Sequence, residues 1–131
     1  HLDLDFLSKF PLNDYAMYLD VKDLTLNDFS FKIKLEYFIR NFGGANSKNH
    51  VHRILGKFFN DEYATKCTRT GREKNKTTTV GQSELLNVLK KVVKECSSGN
   101  SVELTDSKFE NIVAEWLRYA SIRLARSKRA D

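Results

Sequence analysis

The chain has 131 residues, 40% hydrophobic and 30% charged, with 22 Lys/Arg against 17 Asp/Glu and a net charge of +5. That length fits one domain with its own core over residues 1–131, and that balance excludes wholesale disorder, which requires few apolar residues. One Pro and six Gly are too few for a turn-rich all-β design, and no run approaches the roughly 18 apolar residues of a membrane span.

His1 stands where an initiator Met would, so the chain reads as a piece of a longer polypeptide. Residues 1–9 read as a flexible lead-in. Phe10-Pro11-Leu12 opens the first ordered segment, and Asn13 is the expected N-cap of a helix running to about Asp23. In the second helix, with Asn27 as cap, Phe31, Leu35, Phe38, Ile39 and Phe42 recur with helical spacing, and Gly43-Gly44 stops it. A third helix starts near Asn46-Ser47, carries Val51, Ile54, Leu55 and Phe58 on one face, and stops near Asn60. A short turn of helix, Asp61 to about Lys66, follows.

Cys67 to Thr79 reads as a loop with no apolar residue besides Cys67, and so with no face to bury. The fourth helix, Gln82 to Cys96, places Leu85, Val88, Leu89, Val92 and Cys96 in one stripe, and Ser97-Ser98-Gly99-Asn100 breaks it. The fifth begins at Thr105 or Ser107, where Ser107 and Glu110 have capping-box spacing. Phe109, Ile112, Val113, Trp116, Leu117, Ala120 and Leu124 share its inner face, and 125–131 reads as a fraying basic tail. Five helices with no convincing strand pair give an all-α domain. Its expected core is Leu35, Phe38, Ile54, Leu55, Phe58, Leu85, Leu89, Val92, Ile112, Val113, Trp116 and Leu117.

No constellation for catalysis stands out: there is no phosphate-cradling Gly motif and no nucleophile elbow. His50 and His52 lie two apart on a helix and diverge, and Cys67 and Cys96 lack a nearby Cys partner. The expectation is therefore no enzyme, no catalytic residue, no metal and no cofactor, with both thiols reduced in a cytosolic or nuclear setting.

The positive charge is concentrated between residues 61 and 100, which hold eight basic against five acidic residues. Lys66, Arg69, Arg72, Lys74 and Lys76 alternate with hydroxyls such as Thr70 and with Gly71. Such a loop suits phosphate contacts, or is simply a solvated surface loop. It feeds into the fourth helix, whose outer face carries Asn87, Lys90, Lys91 and Lys94 behind Gln82 and Ser83. Gln and Asn pair bidentately with adenine, and Lys reaches guanine or phosphate, so this face suits a major groove; the alternative is an ordinary soluble face. Basic residues from Arg123 to Arg129 compensate the helix dipole, or add phosphate contacts.

Several stretches carry a family likeness: Phe10-Pro11-Leu12, Gly43-Gly44, Val51 through Tyr63, Cys67-Thr68-Arg69-Thr70-Gly71-Arg72 and Trp116-Leu117-Arg118-Tyr119-Ala120. Over residues 10 to 124 the chain resembles an insect-rich domain of unknown function. Its middle is distantly similar to the BEN domain, an all-α module that in many proteins binds DNA in chromatin and in others mediates protein contacts. That resemblance implies Gln82, Ser83 and Asn87 near a major groove and the 69–76 loop near the DNA backbone. Val80-Gly81 departs from it, because BEN-like sequences commonly carry a Pro before this helix. The expectation is a DNA-binding or chromatin-associated module of a larger nuclear protein acting in transcription, with duplex DNA as partner and no membrane. The alternative is a protein-interaction or self-association module with a protein partner or a homodimer. An exposed apolar patch, around Tyr15, Tyr18, Phe29 or Tyr119, would favour the alternative.

Overall fold

The computed structural model describes residues 3–69, 78–81, 83–97 and 103–130. The described elements, in chain order, are α1 (Leu4–Leu7), α2 (Tyr15–Asn27), α3 (Phe29–Phe42), α4 (Ser47–Phe58) and α5 (Asp61–Ala64). Two short strands, β1 (Cys67–Thr68) and β2 (Thr78–Thr79), come next. The helices α6 (Glu84–Cys96), α7 (Asp106–Arg118) and α8 (Ala120–Ala130) complete the chain. The domain is all-α, built on one hydrophobic core.

Eight helices are described against the expected five: α5 is the short helical turn expected after Asn60, and α1 and α8 are additional. Within the stretch read as a lead-in, residues 4–7 form α1. Asp3 caps α1 by accepting from the Phe6 N–H at 3.0 Å. The Phe6 ring then packs 5.5, 5.3 and 5.7 Å from the rings of Phe10, Phe31 and Phe38. The long last helix divides at Tyr119 (φ −91°, ψ 7°), after which Ala120–Ala130 form α8.

Two caps are shifted by one residue from the expected positions. Asp14 and Asp28, rather than Asn13 and Asn27, accept the N–H groups of Met17 and Phe31, and of the two expected starts of the last long helix Thr105, not Ser107, is the cap, accepting from the Lys108 N–H. Both asparagines are engaged elsewhere: Asn60 donates to the Asn13 side chain at 2.6 Å, and Asn27 donates to Asp23 at 2.7 Å. Asn46 and Ser83 cap α4 and α6. Gly43 takes φ +64°, a left-handed conformation that favours glycine and so ends α3 there.

At the centre lies α6, with Leu85, Leu86, Val88, Leu89, Val92 and Val93 all buried. It packs on α2, α3 and α4, while α7 packs on α4 and α8 on α5. Of the expected core, Phe38 and Ile112 are half-buried and pack against it, and the other ten are buried.

The segment expected to bury nothing contributes to the core. β1 and β2 pair in parallel, Cys67 with Thr78 and Thr68 with Thr79, and Cys67, Thr68 and Thr78 are buried. Thr78 tolerates burial because its N–H is paired with the Lys66 carbonyl and its hydroxyl is satisfied. The Thr78 hydroxyl shares a 2.8 Å hydrogen bond with the Tyr63 hydroxyl. Burial is the main cause that pushes the Tyr63 phenol up to about 12, partly offset by that hydrogen bond.

Candidate functional site

The basic face of α6 begins at a cap. The Ser83 hydroxyl donates to the Val80 carbonyl at 2.8 Å and accepts from the Leu86 N–H at 3.4 Å. The residue is buried, so its hydroxyl serves the helix start and does not face solvent. Asn87 is exposed one turn later.

The lysines then separate. Lys94 lies 2.7 Å and Lys90 3.9 Å from Asp106 at the start of α7. Lys91 leans the other way, 3.1 Å from Glu36 on α3. Each partnership marks the titration. The hydrogen bond from Lys94, then the charges of Lys90 and Lys94, hold Asp106 below the usual carboxylate range. The hydrogen bond with Glu36 raises Lys91.

Arg69 follows β1 and lies 3.9 Å from Glu110 on α7, which sets it beside the Lys90 side of α6. Lys66 is exposed in the turn after α5. Thr70, Arg72, Lys74, Lys76 and Gln82 lie outside the described residues. The structure therefore brings Arg69, Asn87, Lys90 and Lys94 to one side of α6, sends Lys91 to the other, and spends Ser83 on capping. A phosphate approaching this face would compete with Glu36, Asp106 and Glu110 for cations they already pair.

The groups considered for metal or acid–base chemistry sit apart. His50 is buried and donates from Nε2 to the Ile39 carbonyl at 2.7 Å. His52 is half-buried, and burial lowers its pKa. Cys67 is buried and Cys96 is exposed. Among the described residues no three His, Cys, Asp or Glu side chains are grouped to hold a metal ion, and no helix is long and apolar enough to cross a membrane.

The most unusual surface is on α3. Phe31, Leu35 and Ile39 face the core. Phe29, Ile33 and Tyr37 point outward and are 77%, 46% and 63% exposed. The sequence from Phe29 to Tyr37 alternates strictly between apolar and polar residues, a strand-like period. On a helix, residues two apart lie about 200° around the axis, so this alternation supplies two opposite apolar faces instead of one. Leu26 on α2 and Leu4 on α1 add further exposed apolar surface.

Beside the strip, a groove of about 590 Å³ runs between α1 and α3, with Phe6, Leu7, Ile33, Tyr37, Phe38 and Phe42 in its walls. Every charged residue of α3 is paired within the chain. Lys32 lies 3.9 Å from Glu84, Lys34 2.7 Å from Asp3, Glu36 3.1 Å from Lys91 and Arg40 2.9 Å from Glu95. The face is thus apolar, with balanced charge along its edges. Of the residues named from sequence as a possible patch, Phe29, Tyr15 and Tyr119 are exposed and Tyr18 is buried. Ile33 and Tyr37 were missed, and the period-two alternation is the signal that marks them.

The chain is thus an all-α domain with two distinct surfaces, a charge-paired face on α6 and an apolar one on α3. Comparison with protein-family models, curated proteins and solved structures found no match to it.

Proposed function

We propose that this domain is a protein-interaction module whose docking face is the outer strip of α3 with the adjoining groove against α1. The observation that carries this reading is the exposure of Phe29, Ile33 and Tyr37 in one row on a helix whose opposite face already fills the core. Burying the exposed part of each such side chain against a partner would gain at most about 1.5–3 kcal/mol, before the cost of association is subtracted. Contiguous apolar surface of this kind marks interaction sites on soluble proteins.

The test is site-specific photo-cross-linking in cells, with a photoreactive phenylalanine analogue at position 33 and, as control, at exposed Lys22. Discrete protein adducts at 33 and none at 22 are expected. Equal labelling at both positions overturns the reading.

A nucleic-acid function has one observation of its own in support. From Trp116 to Ala130 there is no acidic residue. Arg126, Lys128 and Arg129 are exposed on α8 and make no ion pair among the described residues. Three phosphate contacts would give a slope of about −2.7 in log K against log salt, a loss of roughly 40-fold between 50 and 200 mM salt. In an electrophoretic shift titration on random duplex DNA, combined replacement of Arg126, Lys128 and Arg129 by Ala then flattens the slope. Lys90→Ala with Lys94→Ala leaves it unchanged. No shift of the parent chain at 50 mM salt ends this reading.

A further inference from the structure

We propose that the partner of the α3 face is a second copy of this chain, with the two α3 helices packed antiparallel about a two-fold axis at Ile33. The inference rests on the interaction-module reading and names the occupant of that same face.

The strip is symmetric about its centre. Phe29 and Tyr37 each stand four residues from Ile33, about 6 Å along the axis in either direction. A two-fold axis through Ile33 therefore sets Phe29 of one copy against Tyr37 of the other at both ends, and Ile33 against its own counterpart. That is the self-complementary arrangement an isologous interface requires, with an aromatic pair at each end.

Charge permits the same pairing. Two copies of a chain of net charge +5 repel unless the contacting faces are balanced. Here Lys32, Lys34, Glu36 and Arg40 each have an in-chain partner, so the edges of the strip bring no unpaired cation toward the copy. The exposed cations Arg126, Lys128 and Arg129 belong to α8, which packs on α5 and α7. No charged side chain of α3 is left without an in-chain partner for a charged molecule to read, whereas a second copy needs no such group.

The experiment is sedimentation velocity on the 131-residue chain over a concentration series. It includes Phe29→Lys, Tyr37→Glu and Ile33→Asp, with helical thermal melts to show that each variant is folded. The parent is expected to pass from monomer to dimer mass with rising concentration, and each variant alone to stay monomeric. An equimolar mixture of Phe29→Lys and Tyr37→Glu is expected to regain the dimer, because the axis sets the new lysine of one chain against the new glutamate of the other. Ile33→Asp lies on the axis and gains nothing from mixing with either variant.

A parent that remains monomeric to its solubility limit overturns the proposal, and so do variants that dimerise as the parent does. Monomeric variants that fail to pair on mixing overturn the antiparallel arrangement. If the parent is monomeric while position 33 still cross-links to other proteins, the interaction-module reading stands and only self-association falls. If position 33 also gives no specific adduct, both fall.

Discussion

Replacing Trp116 by Ala is expected to lower the unfolding free energy by about 3–5 kcal/mol, out of the roughly 5–15 kcal/mol typical of a domain. The indole is buried, 6.3 Å from the Phe59 ring, with the Arg123 guanidinium 3.9 Å above it. Arg123 also donates to Asp61 at 2.9 Å and to the Trp116 carbonyl at 2.7 Å. One side chain thus ties α5, α7 and α8 together. Its loss opens a cavity and removes the surface on which Arg123 rests. Trp116 is the chain's single tryptophan, so the measurement is urea unfolding followed by far-UV circular dichroism. With a urea slope of about 1–3 kcal/mol/M, the midpoint should fall by more than about 1 M. A variant within about 1 kcal/mol of the parent would mean that this corner does not hold the fold.

Gly81→Ala is expected to cost about 1–3 kcal/mol, although it adds one methyl group to a half-buried position. The Gly81 N–H donates to the Arg69 carbonyl at 3.1 Å. A Cβ at Gly81 would fall on that same carbonyl oxygen and 2.6 Å from Arg69 Cγ. The carbonyl is backbone and cannot rotate away, so the two segments must separate. Their separation strains the Val80 N–H to Thr68 carbonyl bond next to it, at 2.9 Å, and with it the β1–β2 pair. Hydrogen exchange at the Val80 and Gly81 amides reads this directly. Protection in the variant equal to the parent's would rule out the close approach.

This glycine also explains why the 67–81 region was legible only in part. Composition marked the segment as polar and basic, which is correct for its side chains. Nothing in its composition shows that Thr78 would pair with Cys67 or that Gly81 would abut Arg69, because both contacts join residues more than ten apart. Similarly, the spacing of Lys90, Lys91 and Lys94 on one outer face was readable. Their partners Glu36 and Asp106 come from other helices, and those carboxylates turn a cationic stripe into a set of ion pairs.

Helical periodicity and capping chemistry act within a few residues, so the sequence by itself determined the all-α class, the main helix boundaries to within a few residues, and ten of the twelve core positions as buried. The spacing singled out Phe31, Leu35 and Ile39 as the covered face of α3, and only the tertiary structure decided that a second apolar face stays uncovered. Phe29, Ile33 and Tyr37 repeat the i, i+4 spacing of Phe31, Leu35 and Ile39, and the alternation itself does not show that nothing packs on the extra row. The packing of α2, α4 and α6 against one side buries Phe31, Leu35 and Ile39 and leaves the extra row in water, because a helix has two sides and this core occupies one.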